Sequence, residues 1–319
     1  MKLFAVNYVW VVTQLIKNPM LKLYALLVLC FLFVLSCKAQ NADTVKHKKP
    51  TLKFGLTYNS NSVYLGRTDS VTIPVYNLGA TYTLKNGIFF SGTVNYVPSR
   101  EFDKLDGGAI ETGYNFEHDN LSGGVTVSKY FASFNSTQLV SALDAVIGAE
   151  LSYNLFDIIT PSAHIDYVLG NGGGNDFILT GGVAHEFTIA KPFGAHDQLS
   201  IEPAIHFNAG SQNFYNTYVI RKQKSETARK NFRSKGKGNG NVVTTTTTQV
   251  STGTINFNKF EVLAYEFNLP FTYTIKKFAV EVNPVYAIAV HKIDDNGTNT
   301  FYVPNTSVFY LQLAVSYTF

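Results

Sequence analysis

The amino-acid sequence predicts an all-β fold, a closed antiparallel up-and-down transmembrane β-barrel of about twelve strands. Three observations predict it. From Thr51 onward, apolar residues recur at every second position over stretches of roughly 9–15 residues. The connections between these stretches alternate between tight turns and longer loops. Charged residues make up only 15% of a 319-residue chain that is 14% aromatic. So much aromatic side chain excludes wholesale disorder. After residue 36 no unbroken apolar run approaches the ~20 residues of a spanning helix, which excludes a helical membrane protein.

In chain order the first element is a leader. Met20-Leu-Lys-Leu precedes an apolar run from Tyr24 to Leu35, then Ser36-Cys37-Lys38-Ala39-Gln40. A basic start, an apolar core and a small terminal residue read as a signal peptide cleaved after Ala39. Residues 1–19 end in Lys17-Asn18-Pro19, and Met20 is the expected true start. A competing reading takes Val34-Leu35-Ser36-Cys37 as a lipobox with Cys37 lipidated. Both cysteines, Cys30 and Cys37, precede residue 40, so disulfides and thiolate metal sites are excluded from residues 40–319. The four lysines before residue 40 account for the formal charge of +4; the remainder is close to neutral, and the basic balance belongs to targeting. Residues 40–50 form a tail, expected in the periplasm, ahead of a barrel over 51–319.

The strand segments fall at about 51–59, 72–84, 87–98, 108–117, 120–133, 141–156, 159–170, 176–190, 198–210, 258–275, 278–291 and 306–319. The last is clearest: Phe309, Leu311, Leu313, Val315, Tyr317 and Phe319 share one face, against Tyr310, Gln312, Ala314, Ser316 and Thr318. No helical stretch separates the segments, so neighbours pair antiparallel. Tight turns fall at Lys85-Asn86, His118-Asp119, Asp157-Ile158 and Lys276-Lys277, with a longer one at 191–197. Longer connections fall at 60–71, 99–107, 134–140, 171–175, 211–257 and 292–305. Short turns at one end and longer loops at the other are the pattern of an outer-membrane barrel, with turns and both termini in the periplasm. The sheet must close, because an open edge in lipid leaves backbone groups unpaired at several kcal/mol each.

The alternating C-terminus with its terminal aromatic, Leu311, Leu313, Val315, Tyr317 and Phe319, resembles the signal that Gram-negative outer-membrane β-barrels present to the barrel-assembly machinery. With the leader, the likeness covers residues 20–40 and 51–319. It implies a porin-like integral protein of the cell outer membrane, exported and then inserted with that machinery as partner, among outer-membrane lipid and lipopolysaccharide.

With the apolar face outward, the inward acids are Glu111, Glu117, Asp144, Glu150, Asp166, Glu186, Glu202, Glu266 and Glu281. Against these, Lys53 is the one clear inward lysine, joined by His164 and His206. The expectation is a small passive pore with an acidic lumen preferring cationic or small polar solutes, with Glu150, Glu266, His164 and His206 nearest mid-strand. The first alternative is a plugged structural or adhesive barrel working through its loops. Loop 211–257 carries eight basic residues, Arg221, Lys222, Lys224, Arg229, Lys230, Arg233, Lys235 and Lys237, against Glu226 alone. It reads as a solvated loop resting on anionic lipopolysaccharide, or as a lid folding back over the lumen. Phe232 is the only aromatic among those charges, so nucleic acid is not an expected partner.

Other motifs carry less. His164 and Asp166 share a face with His206 two strands away, but two strand steps are ~9.6 Å, too far for one zinc. No metal and no cofactor are expected. Asn171-Gly-Gly-Gly-Asn175 lies between strands and precedes no helix, so it is a loop and no dinucleotide fingerprint. The second alternative, a lipid-modifying hydrolase, needs nucleophile, base and orienting group together on the lipid-facing wall. His185 faces outward with no outward serine beside it on its segment, so no catalytic residue is assigned.

Overall fold

The computed structural model describes residues 49–68, 72–99, 104–133, 136, 138–171, 174–215, 217, 258–290 and 307–319. The leader, nearly all of the tail and the basic part of loop 211–257 lie outside the described residues.

Twelve strands build the wall. They are β1 (Thr51–Asn59), β2 (Val75–Thr83), β3 (Ile88–Tyr96), β4 (Leu105–His118), β5 (Leu121–Ala132) and β6 (Leu143–Tyr153). Then come β7 (Thr160–Gly170), β8 (Asp176–Ala184 and Phe187–Ala190), β9 (Asp197–Ile201 and Ala204–Gly210), β10 (Glu261–Asn268 and Phe271–Ile275), β11 (Phe278–Ala289) and β12 (Val308–Thr318). Each pairs antiparallel with its chain neighbours, and β12 pairs with β11 and also with β1, which closes the sheet. The Phe319 N–H donates to the Leu52 carbonyl at 2.9 Å, so the last residue of the chain belongs to the closing seam. The β8, β9 and β10 strands are each split once. Pro203 and Pro270 have no N–H to give the ladder. His185, Glu202 and Leu269 donate across the splits to the carbonyls of Pro203, Pro270 and Pro284 at 3.1–3.2 Å, so the wall continues.

Side chains divide as lipid and a polar interior demand. Leu56, Leu78, Val94, Ile110, Val127, Ile147, Ile165 and Val315 are exposed on the outer face. Aromatics mark its two borders. Tyr58, Tyr76 and Tyr96 sit side by side toward the loop end, with ring centroids 4.9 and 6.4 Å apart. At the turn end, Phe319 packs edge-on against Phe54 and Tyr317. Such girdles flank the hydrocarbon band of membrane barrels.

Among the described residues, the apolar filling of the interior lies at the loop end. Leu139, Leu143, Val146, Val168, Ile178, Phe214 and Leu263 form a buried apolar cluster against which Tyr64, Leu65 and Tyr130 pack. Three connections meet the wall there: Tyr64 and Leu65 after β1, Leu139 after β5 and Phe214 after β9 pack against Leu143, Val146, Val168, Ile178 and Leu263 of the strands.

Candidate functional site

Below that apolar cluster, toward the turns, the inner wall is polar and surrounds two adjoining cavities of about 400 Å³ and 600 Å³. Both are lined by Ser152, Ser162, Thr180 and His206. The smaller adds Glu117, Glu150 and His164; the larger adds Glu202 and Glu266.

Strand pairing brings the charged groups together. Glu150 on β6 stands opposite His164 on β7, with a carboxylate oxygen 3.8 Å from Nδ1. Asp166, two residues further along β7, contacts His164 Nε2 at 2.8 Å. The imidazole thus lies between two carboxylates. On the next strands Gly182, His206 and Glu266 occupy one cross-strand row. Glycine is required in that row, because a Cβ at 182 would run into the His206 ring. Asn268 Nδ2 meets His206 Nδ1 at 3.0 Å, and Asn208 Nδ2 donates to Glu266 at 3.2 Å. Elsewhere on the inner face, Glu111 accepts from Ser128 Oγ at 2.7 Å, and Lys53 pairs with Thr81 and Thr318 near the turn end. Glu281 pairs with Thr272 and Ala314, and Glu186 accepts from Thr188 Oγ1 at 3.3 Å.

Asp144 leaves the lumen set. The register slips between Leu143 and Ala145, so Asp144 is the extra residue of a β-bulge and alternation fails there. Leu143 and Val146 point into the buried cluster, while Asp144 contacts Lys129 Nζ at 2.5 Å. Lys129 shares its face with Val127 and Phe131, so this ion pair stands on the outer surface.

The residues that sequence reasoning missed close the loop end. Val63–Tyr64 and Arg67–Thr68 form a small hairpin that is not hydrogen-bonded into the wall sheet. Leu65 and Gly66 form its tip, with φ of 50° and 72°, the pattern of a two-residue primed turn. Val63 packs on the cluster of Val285, Ala287 and Tyr310, while Tyr64 meets Phe214 edge-on at 5.0 Å, so the hairpin reaches across the mouth. Arg67 is 1% exposed, donates to Gln212 Oε1 at 2.5 Å and lies over the Tyr215 ring. Burial holds its guanidinium below the usual range and pushes the Tyr64 phenol up. The hairpin tip at Gly66 lies against Ala264, two residues from Glu266 on β10, joining the plug to the polar cavity beneath it. The signal in sequence was the run Val63-Tyr64-Leu65-Gly66, unusually apolar for a solvated loop. Among the described residues, no group of three or more His, Cys, Asp or Glu side chains is placed to hold a metal ion.

A closed up-and-down barrel with an apolar outer band, aromatic borders and a polar, acid-bearing interior is an outer-membrane-type transmembrane β-barrel. No protein-family model and no curated protein matches the sequence. Among solved structures, the chain is similar to the KdgM porin, at 10% identity and a TM-score of 0.41 over 84% of this chain and 99% of that one. It is also similar to an outer membrane channel from Pseudomonas putida F1, at 11% identity and 0.42 over 88% and 100%. LpxR from Salmonella typhimurium matches at 10% and 0.42 over 83% and 99%.

Proposed function

We propose that the chain is an integral outer-membrane barrel acting as a small passive pore for cationic and neutral polar solutes. In this reading its turns face the periplasm, its long loops face outward among lipopolysaccharide, and the barrel-assembly machinery inserts it. The supporting observation is the acid-rich inner wall, where Glu117, Glu150, Asp166, Glu202 and Glu266 outnumber the basic groups around two polar cavities. Carboxylates lining a wet lumen raise the local cation concentration. The test is single-channel recording of the refolded barrel under a salt gradient. The expected result is discrete openings with a cation-selective reversal potential, which Glu150→Gln with Glu266→Gln moves toward zero. An anion-selective potential overturns the reading.

One observation favours a second reading, a closed barrel that works through its loops. The 63–68 hairpin occupies the loop end of the lumen. A folded barrel that never conducts, even with that hairpin shortened, supports this reading over the pore.

A further inference from the structure

On the outside of the wall, the turn end of β8–β11 is both apolar and basic. The aromatic border continues into this sector, where Phe278 on β11 pairs with Tyr317 and Ile275 on β10 pairs with Phe278. Phe187 and Ile189 on β8 and Phe271 on β10 are exposed in the same sector. Just beyond this band, the turns at 191–197 and 276–277 lie side by side, because the Lys276 N–H donates to the His196 carbonyl at 3.2 Å. The two turns carry Lys191, His196, Lys276 and Lys277, all exposed. Among the described residues none of these four has an ion-pair partner.

The backbone pays a conformational cost to put cations there. Lys191 and Lys276 have φ of 58° and 54°, where Gly or Asn sits more easily. The aromatic side chain between them is also held outward. Phe193 is 82% exposed, yet its N–H and that of Gly194 donate to Asp197 at 3.1 and 3.0 Å. Asp197 accepts from the Tyr273 hydroxyl as well, at 2.8 Å, so the nearest acid is engaged within the turn. The Phe193 ring packs edge-on against Tyr273, which shares its face with Phe271 and Ile275. The three other turns differ: Lys85-Asn86 has one cation, His118 contacts Asp119 at 3.6 Å, and Phe156-Asp157-Ile158 has none.

Cations placed just past a hydrocarbon-facing wall meet lipid phosphate, while the wall beside them meets acyl chain. A zwitterionic headgroup brings its own ammonium group among the lysines; an anionic one does not. We propose that the turn-end rim of β8–β11 binds an anionic phospholipid of the adjoining leaflet. Its phosphate lies among Lys191, His196 and Lys276, and its chains lie along Phe193 and Phe271. The site is on the outer surface and is independent of whether the lumen conducts.

The chain has a single tryptophan, Trp10, which allows a site-specific test. Full chain carrying Trp10→Phe with Phe193→Trp puts one reporter at the rim; Trp10→Phe with Phe156→Trp puts it in the turn between β6 and β7. Each is refolded into phosphatidylcholine vesicles containing brominated phosphatidylglycerol or brominated phosphatidylcholine, and quenching is measured. At 193 the expected apparent affinity is about threefold or more in favour of phosphatidylglycerol, from the attraction of lysines to anionic lipid. At 156 no preference is expected. Lys191→Gln with Lys276→Gln brings the ratio at 193 close to one, and circular dichroism verifies the barrel. Should that variant misfold, high salt on the parent reporter gives the same loss, since exposed charges are screened. Equal quenching by the two lipids at 193 overturns the site. So does an equal preference at 193 and 156, which marks a general attraction to the barrel, or a preference that survives loss of the lysines.

Discussion

Asp106 and Asp176 stand at the loop ends of their strands, each 1% exposed, and each gathers donors from a neighbouring loop. Asp106 accepts from Ser136 Oγ and Gln138 Nε2, both at 2.6 Å. Asp176 accepts from Ser211 Oγ and from the backbone N–H groups of Asn213 and Phe214, at 2.6–2.7 Å. Removing the Asp176 carboxylate leaves three buried donors unmatched, at about 1–3 kcal/mol each before relaxation. Asp176→Ala is therefore expected to destabilise the loop-end cluster by about 3 kcal/mol, read as a lower urea midpoint. Faster proteolysis between 211 and 217 should accompany it, with the wall strands intact. These roles were illegible in sequence, since an aspartate at a strand end looks the same whether it meets water or a folded-in loop. The inward places of His164 and Asp166 were legible, because alternation alone sets them. Asp144 was not, because one extra residue in a bulge breaks the period without leaving a mark in composition.

At the level of strands the fold is legible in the sequence, because lipid outside and polar groups inside impose a period of two on every crossing. The twelve segments expected from alternation correspond to the twelve observed strands, and the seam explains the terminal aromatic, whose backbone closes the β1–β12 ladder. The splits in β8, β9 and β10 were not anticipated; two of them fall at Pro203 and Pro270, which lie within otherwise regular alternation. Leu78 lies near the middle of β2 and is 60% exposed. Leu78→Arg should lower folding stability in lipid vesicles by about 2–4 kcal/mol, the cost of an arginine at the bilayer midplane. Reversible denaturant titration in liposomes measures it. A cost near zero would mean that this face does not meet hydrocarbon.

For the whole molecule, the strands build the wall, and loop residues packed onto its apolar inner patch complete the seal. Wall side chains leave polar space in the turn-side half, while in the other half Tyr64, Leu139 and Phe214 of the folded-in loops pack against Leu143, Val168, Ile178 and Leu263 of the wall. Replacing Val63–Thr68 by a short Gly-Ser link should open the loop end and raise mean conductance at least tenfold in planar bilayers, with the circular-dichroism signature of the barrel retained. Unchanged conductance would show that another element closes the mouth. The sequence hid this arrangement because connections carry no period, so where a loop rests depends on partners far away in the chain, as Tyr64 does on Phe214.

That separation bears on how such a protein diverges. Adding or deleting one residue in a strand turns the lipid-facing side chains beyond it inward, unless a bulge absorbs the change as one does at Asp144. Lengthening or shortening the connection between β1 and β2 disturbs no register at all. Descendants of this chain are therefore free to alter the stopper by insertion and deletion, while their walls change almost solely by substitution. Length variation among them should concentrate in residues 60–74, making the mouth the fastest-changing part of an otherwise constant vessel.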